Sequence, residues 1–224
     1  MKLYQITSLL LIAQLTFTGC ASSPGLAPID NALLASLSVD AKVPVGEARA
    51  ARDLASDSYA AAQSQARNQE YQVAVAEASL RTVRSQLDES KLAVGFAEKN
   101  GSQEDLALAQ KKHNLALSEA NYGRDLLAVR KREFEVASLK ETLCLEELRF
   151  SLAMVELTKA EALQDVDSIA AQQIPIKDYR KQVAYHGEEV AIPRSRADTA
   201  EARMLEARGN LADEKRKLDD LKKQ

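Results

Sequence analysis

The feature that most constrains this chain is an apolar residue repeated every seven positions over most of its length. Apolar residues spaced alternately three and four apart form one stripe on a helix, and six consecutive heptads of them predict a coiled-coil seam. The first seam consists of Tyr59, Ala66, Val73, Leu80, Leu87 and Val94, interleaved with Ala62, Gln69, Ala76, Val83, Ser90 and Ala97.

The middle of the chain carries two such stripes rather than one. They begin at Leu108 and Leu106, and at 100° per residue they lie about 160° apart on a helix. A helix with two well-separated apolar faces is expected to have two neighbours. A weaker stripe from Val183 to Leu221, interrupted at Pro193 and Glu214, supplies the other neighbour.

Helix-breaking residues divide the repeats into three helices. Asn100-Gly101 is a stop signal, Ser102 with Asp105 resembles a capping box, and Pro175 ends the middle helix. The sequence therefore predicts an all-α fold, an elongated antiparallel coiled coil of three long helices running up-down-up. The third helix is expected to be kinked or split at Pro193. The expected helices are about 46–100, 102–174 and 177–222.

Folding back at both corners predicts a region where all three helices lie together, roughly residues 130–157. The densest apolar sequence, from Leu143 onward, falls in that region. The residues expected to form the helix-packing core are Leu80, Leu87, Leu143, Leu148, Phe150, Val155 and Leu211.

The N-terminus has the pattern of a secretory signal peptide over residues 1–19. Lys2 supplies a positive charge, Leu9 to Ala13 form an apolar run, and Gly19-Cys20 ends the segment. The apolar run is too short to cross a bilayer, which requires about 20 residues. The domains expected are this signal peptide, a lipidated Cys and flexible linker over 20–44, and a helical coiled-coil domain over 45–224. Within the linker, residues 31–37 can form one or two helical turns.

Gly19-Cys20 at the end of such a segment resembles the lipobox of bacterial lipoproteins. That resemblance implies cleavage before Cys20, and thioether-linked and amide-linked acyl chains, typically palmitate, on Cys20. Ala21 after the cysteine implies sorting to the outer membrane, with the body in the periplasm. The alternative is an ordinary secretory signal with an accidental cysteine. A linker of about 24 residues could extend up to about 80 Å.

Composition and motifs indicate no catalytic site, metal or cofactor. The net charge is −3, with acidic and basic residues interspersed, which argues against a nucleic-acid partner. His113 and His186 fall within the apolar stripes, and paired carboxylates such as Glu146-Glu147 are typical of a solvated helix face. Cys144 is expected to be a small buried thiol, with a free reactive or intermolecularly bonded cysteine as the alternative.

Three classes of function fit this sequence. The first is a structural or tethering scaffold that engages peptidoglycan or a protein. The second is an accessory subunit of an envelope transport machine, since the hairpin is similar in style to those of efflux adaptor proteins. The third is an activator of a periplasmic cell-wall enzyme. The chain also resembles the major murein lipoprotein, but only in its lipobox and helical character. Self-association is a further possibility.

Overall fold

The computed structural model describes residues 26–164 and 169–223, and the signal segment and Cys20 lie outside these ranges. A 3₁₀ helix, Asn31–Ser36, is followed by four α-helices. These are α1 (Val39–Asn100), α2 (Gln103–Ala162), the short α3 (Ile169–Gln172) and α4 (Ile176–Lys223). The fold is all-α, and α2 packs against α1 and against α4. The expected three-helix architecture is confirmed.

The first helix begins at Val39, earlier than expected, and contains Pro44. Ser38 caps it, because its Oγ accepts a hydrogen bond from the Ala41 N–H at 3.2 Å. Pro44 lies in the second turn, where its ring removes one backbone hydrogen bond. The next residue, Val45, is buried in the core at this end of the molecule. This packing offsets the lost bond, and the helix continues.

The corner between α1 and α2 is tight and well capped. The Ser102 Oγ accepts from the Asp105 N–H at 3.1 Å, and the Asp105 carboxylate accepts from the Ser102 N–H at 3.0 Å. The capping box expected at this position is therefore present. Gly101 is extended rather than left-handed, with φ −96°. A glycine is required because a Cβ there would lie 2.8 Å from the Ala97 carbonyl oxygen.

The expected end of the middle helix is wrong. This helix ends at Ala162 and not near residue 174, although no proline or glycine marks that end. Of the kink or split expected at Pro193, the split does not occur, because α4 continues through that residue. Pro193 is buried, and its packing compensates for the hydrogen bond that its ring removes.

Because α2 ends earlier than predicted, α4 lies beside residues of α2 that are closer to the α1–α2 corner than the sequence predicts. Ion pairs join α4 to α2 from Glu161–Arg180 at one end to Glu119–Lys222 at the other. The region where α2 has both neighbours therefore extends well beyond the expected residues 130–157. Of the expected core residues, Leu80 and Val155 are buried, and the partly buried ones are Leu87, Leu143, Leu148, Phe150 and Leu211.

Candidate functional site

The end of the rod that contains residues 26–38, here called the base, holds a hydrophobic core cluster. Residues 26–38, here called the N-terminal strap, lie across α2 and α4 at this end. Leu163 is the most deeply buried large side chain of the described residues, at 1% exposure. The cluster joins the strap to α1, α2, α3 and α4 through Ile29, Leu34, Leu37, Val45, Leu157, Ala160, Leu163, Ala171 and Tyr179.

Polar side chains fix the backbone of the strap. The Glu156 carboxylate accepts from the Ile29 N–H at 2.7 Å, and the Lys159 ammonium donates to the Ile29 carbonyl at 3.4 Å. Lys159 and Glu156 also form an ion pair at 2.7 Å, in which the Lys159 side chain is only 7% exposed. Both polar groups of the Ile29 backbone are therefore held by one buried charged pair.

A second polar contact comes from α4. The Tyr179 hydroxyl donates to the Ala27 carbonyl at 2.7 Å. Burial raises the pKa of Tyr179, and the nearby Glu156 carboxylate raises it further. The phenol therefore stays protonated and keeps its donor hydrogen. The expected flexible linker is wrong for residues 26–38, because buried side chains and four helices hold this segment in place.

The contact between α2 and α4 carries a ladder of ion pairs at heptad spacing. Each step of seven residues along α2 is matched by a step of seven in the opposite direction along α4. The rungs are Glu119–Lys222 at 3.0 Å, Glu133–Arg208 at 2.6 Å, Lys140–Glu201 at 2.5 Å, Glu147–Arg194 at 3.0 Å and Glu161–Arg180 at 2.9 Å.

Glu133 is the most enclosed carboxylate of this ladder. Its side chain is 10% exposed and accepts from Arg208 on α4 and from Arg130 on its own helix, at 2.6 and 2.7 Å. Burial alone would raise the pKa of Glu133, but the two arginines outweigh it and lower the pKa. The ladder is not predicted from the sequence, because its ion pairs depend on the register between α2 and α4.

The opposite end of the rod is a two-helix hairpin. The last described turn of α4 reaches Glu119 through Lys222, so only α1 and α2 of the described helices extend beyond this point. This hairpin tip comprises about residues 85–118. Leu92 and Phe96 lie one turn apart on its outer face, with 75% and 69% exposure. Two such residues on one face make an apolar surface that no described residue covers.

The two histidines lie within the helix packing, as expected, whereas Cys144 is less buried than expected. His113 Nδ1 is 3.1 Å from the Ser90 Oγ across the α1–α2 contact. Burial lowers the pKa of His186, whose Nδ1 has no hydrogen-bond partner. Cys144 is a free, half-buried thiol, and burial and the nearby Glu147 raise its pKa. A thiol with a raised pKa forms little thiolate at neutral pH and is weakly reactive.

The described residues also contain neither a metal-binding cluster nor a membrane-spanning helix. Among these residues, no group of three His, Cys, Asp or Glu side chains is placed to hold a metal ion. None of the described helices combines the length and hydropathy needed for a membrane crossing. No protein-family model, curated protein or solved structure matches the chain.

Proposed function

We propose that this chain is an outer-membrane lipoprotein whose helical body serves as a structural or tethering scaffold in the periplasm. The proposal places acyl chains on Cys20 and assigns the protein no catalytic activity and no cofactor. The observation that carries it is the rod: α2 packs against one long helix on either side. Its 60 residues correspond to a length of about 90 Å.

A body of this shape suits a protein that holds two structures a set distance apart. A single helix of this length would bend, whereas lateral packing along both neighbours stiffens it. The N-terminal strap and the base lie at one end, and the hairpin tip lies at the other. A tether of this kind would place a binding surface far from the membrane that anchors it.

The hairpin tip favours the accessory-subunit function as a second candidate. Leu92 and Phe96 form an exposed apolar surface at the end of the rod farthest from the base. Exposed apolar surface of this kind is typical of sites where proteins meet. In this version of the proposal, the tip docks onto an envelope protein, and peptidoglycan is not the main partner.

Two cysteines allow a matched test of the anchor. Cys20→Ala should abolish incorporation of labelled palmitate and release the protein from membranes, because no acyl chain can then be attached. Cys144→Ala provides the control and should change neither result. Membrane association that persists in Cys20→Ala, or palmitate that disappears only in Cys144→Ala, would contradict the lipoprotein proposal.

The partner can be identified in intact cells with a photo-crosslinking amino acid. Placed at Phe96, it should capture an envelope protein if the tip docks there. Placed at Glu188, an exposed position on α4 away from the tip, it should not capture the same partner. Peptidoglycan in the crosslinked material would favour wall tethering, and a channel subunit would favour the accessory role.

A further inference from the structure

The N-terminal strap fixes where the rod sits relative to the proposed lipid anchor. Its buried residues Ile29, Leu34 and Leu37 belong to the main hydrophobic cluster of the base. Its backbone is held at Ala27 by Tyr179 and at Ile29 by the Glu156–Lys159 pair. The chain from Ala27 onward is therefore part of the rigid body.

The covalent chain between the anchor and the strap is short. Six residues lie between Cys20 and Ala27, so the seven residue-to-residue steps, at 3.3–3.6 Å each, span at most about 25 Å. A linker free up to residue 44 would have allowed about 80 Å. The strap thus reduces the possible distance between the lipid and the base to less than a third of the length of α2.

We propose that the strap holds the base of the rod against the lipid surface. The rod then stands upright, and the hairpin tip lies about 90 Å from the membrane. This inference rests on the proposed lipidation of Cys20. Its partner is the lipid surface itself, and the strap residues act as positioning residues. The tip, with Leu92 and Phe96, then becomes the part of the protein that reaches distant partners.

The charge of the body favours an upright rod over one lying on the membrane. The chain carries a net charge of −3, and the Lys and Arg side chains of the ladder are each paired with a carboxylate. An anionic lipid surface attracts segments rich in Lys and Arg. A body of small negative net charge, whose ladder cations are already paired, offers such a surface little attraction. The short connection at the base is then the main attachment to the bilayer.

Energy transfer from the protein to lipids measures this arrangement. The full-length, lipidated protein is reconstituted in phosphatidylethanolamine–phosphatidylglycerol vesicles that contain an acceptor-labelled lipid, in a Cys144→Ser background. A donor dye is attached at Lys177→Cys near the base or at Gln103→Cys at the tip; both positions are exposed. The base dye should lose most of its fluorescence, and the tip dye should lose almost none.

A flexible insertion provides the matched control. Twenty Gly/Ser residues placed between Ser23 and Pro24 lengthen the connection without touching the strap, so the base dye should recover much of its fluorescence. The same twenty residues appended after Gln224 leave the strap and the helix corners untouched and should leave the base dye quenched. Tyr179→Phe, which removes the hydroxyl donor to Ala27, should shift the base dye in the direction of the first insertion.

The possible results separate the two proposals. Equal quenching of both dyes in a lipidated protein would overturn the upright orientation, but the lipid anchor would stand. A base dye that does not respond to the insertion between Ser23 and Pro24 would overturn the role of the short connection. Protein that takes up no labelled palmitate would overturn both proposals, since the strap would then have no anchor to hold.

Discussion

Helix α2 packs against two neighbours in two different ways. Most of the buried side chains that α1 contributes are alanines, and Leu80 is the largest of its buried side chains. The ion pair Glu77–Lys131, at 3.1 Å, joins these helices. Against α4, five ion pairs lie at intervals of seven or fourteen residues. The first contact depends on close approach of the helices, and the second on matched charges.

The difference teaches how each contact fixes its register. Alanines form a uniform surface, so the register of α1 on α2 depends on the tight turn at Gly101 and on larger residues such as Leu80. The ladder instead encodes its register in the order of charges. Its polarity reverses at Lys140–Glu201, so a slip of one heptad would place Lys140 opposite an arginine.

The largest change in stability is expected at Leu80, the largest buried side chain that α1 contributes. Leu80 is 5% exposed, and its Cδ1 lies 3.3 Å from where a Cβ on Gly123 would be. Leu80→Ala should lower the free energy of unfolding by about 2–5 kcal/mol, because it leaves a cavity. Leu92→Ala, on the exposed face of the same helix, should change it by no more than about 0.5 kcal/mol. Urea denaturation of both variants measures the difference; equal effects would mean that Leu80 is not a core residue.

An enlarged side chain tests the close approach of α1 and α2. Ala66 is 4% exposed in this contact. Ala66→Leu should destabilise by about 1–3 kcal/mol, since the added atoms force the helices apart. Ala78→Leu on the solvent face of α1 is the control and should be nearly neutral. Thermal unfolding checks both variants, and a stabilised Ala66→Leu would show that the alanine contact has free space.

A charge swap tests the ladder. Lys140→Glu places two carboxylates opposite each other and should destabilise by about 1 kcal/mol, in line with exposed ion pairs. The double variant Lys140→Glu/Glu201→Lys should recover most of that loss, because the pair is restored with reversed polarity. The coupling measured in this double-mutant cycle should shrink in high salt. A double variant as unstable as the sum of its parts would remove the ladder from the account.

The smallest expected effect is the pH dependence of Glu133. Its pKa is lowered in the folded protein, so its stabilising contribution is complete above the ordinary value of 4.5. The contribution is lost as the pH falls through the lowered pKa. Glu133→Gln should therefore reduce the loss of stability between about pH 6 and pH 3, by less than about 1 kcal/mol. Unfolding curves at both pH values check this, and an identical pH dependence in the variant would contradict it.

The sequence predicts the parts of this fold that depend on local patterns. Heptad spacing identifies the α1–α2 contact and the buried Leu80, and the Ser102–Asp105 pair identifies the start of α2. Both features arise from residues a few positions apart, so one short stretch of sequence contains all the information.

The parts that sequence reasoning missed depend on distant contacts. Prolines made residues 26–38 resemble a linker, although Ile29, Leu34 and Leu37 have spacing that can bury one face. Their partners include Leu157 and Tyr179, more than 100 residues away. The end of α2 at Ala162 carries no breaker residue, and that error shifted the register of α4, which concealed the ladder.

Crosslinking between α2 and α4 tests most directly the central claim that α4 packs along α2 in the register of the ladder. Heptad spacing places Leu126 on α2 opposite Lys215 on α4, midway between the ion pairs Glu119–Lys222 and Glu133–Arg208. In a Cys144→Ser background, Leu126→Cys with Lys215→Cys should be joined rapidly within one chain by a short bismaleimide. Leu126→Cys paired with Arg208→Cys, one heptad out of register, should react slowly. Equal rates for the two pairs, or faster reaction of the second, would contradict the account.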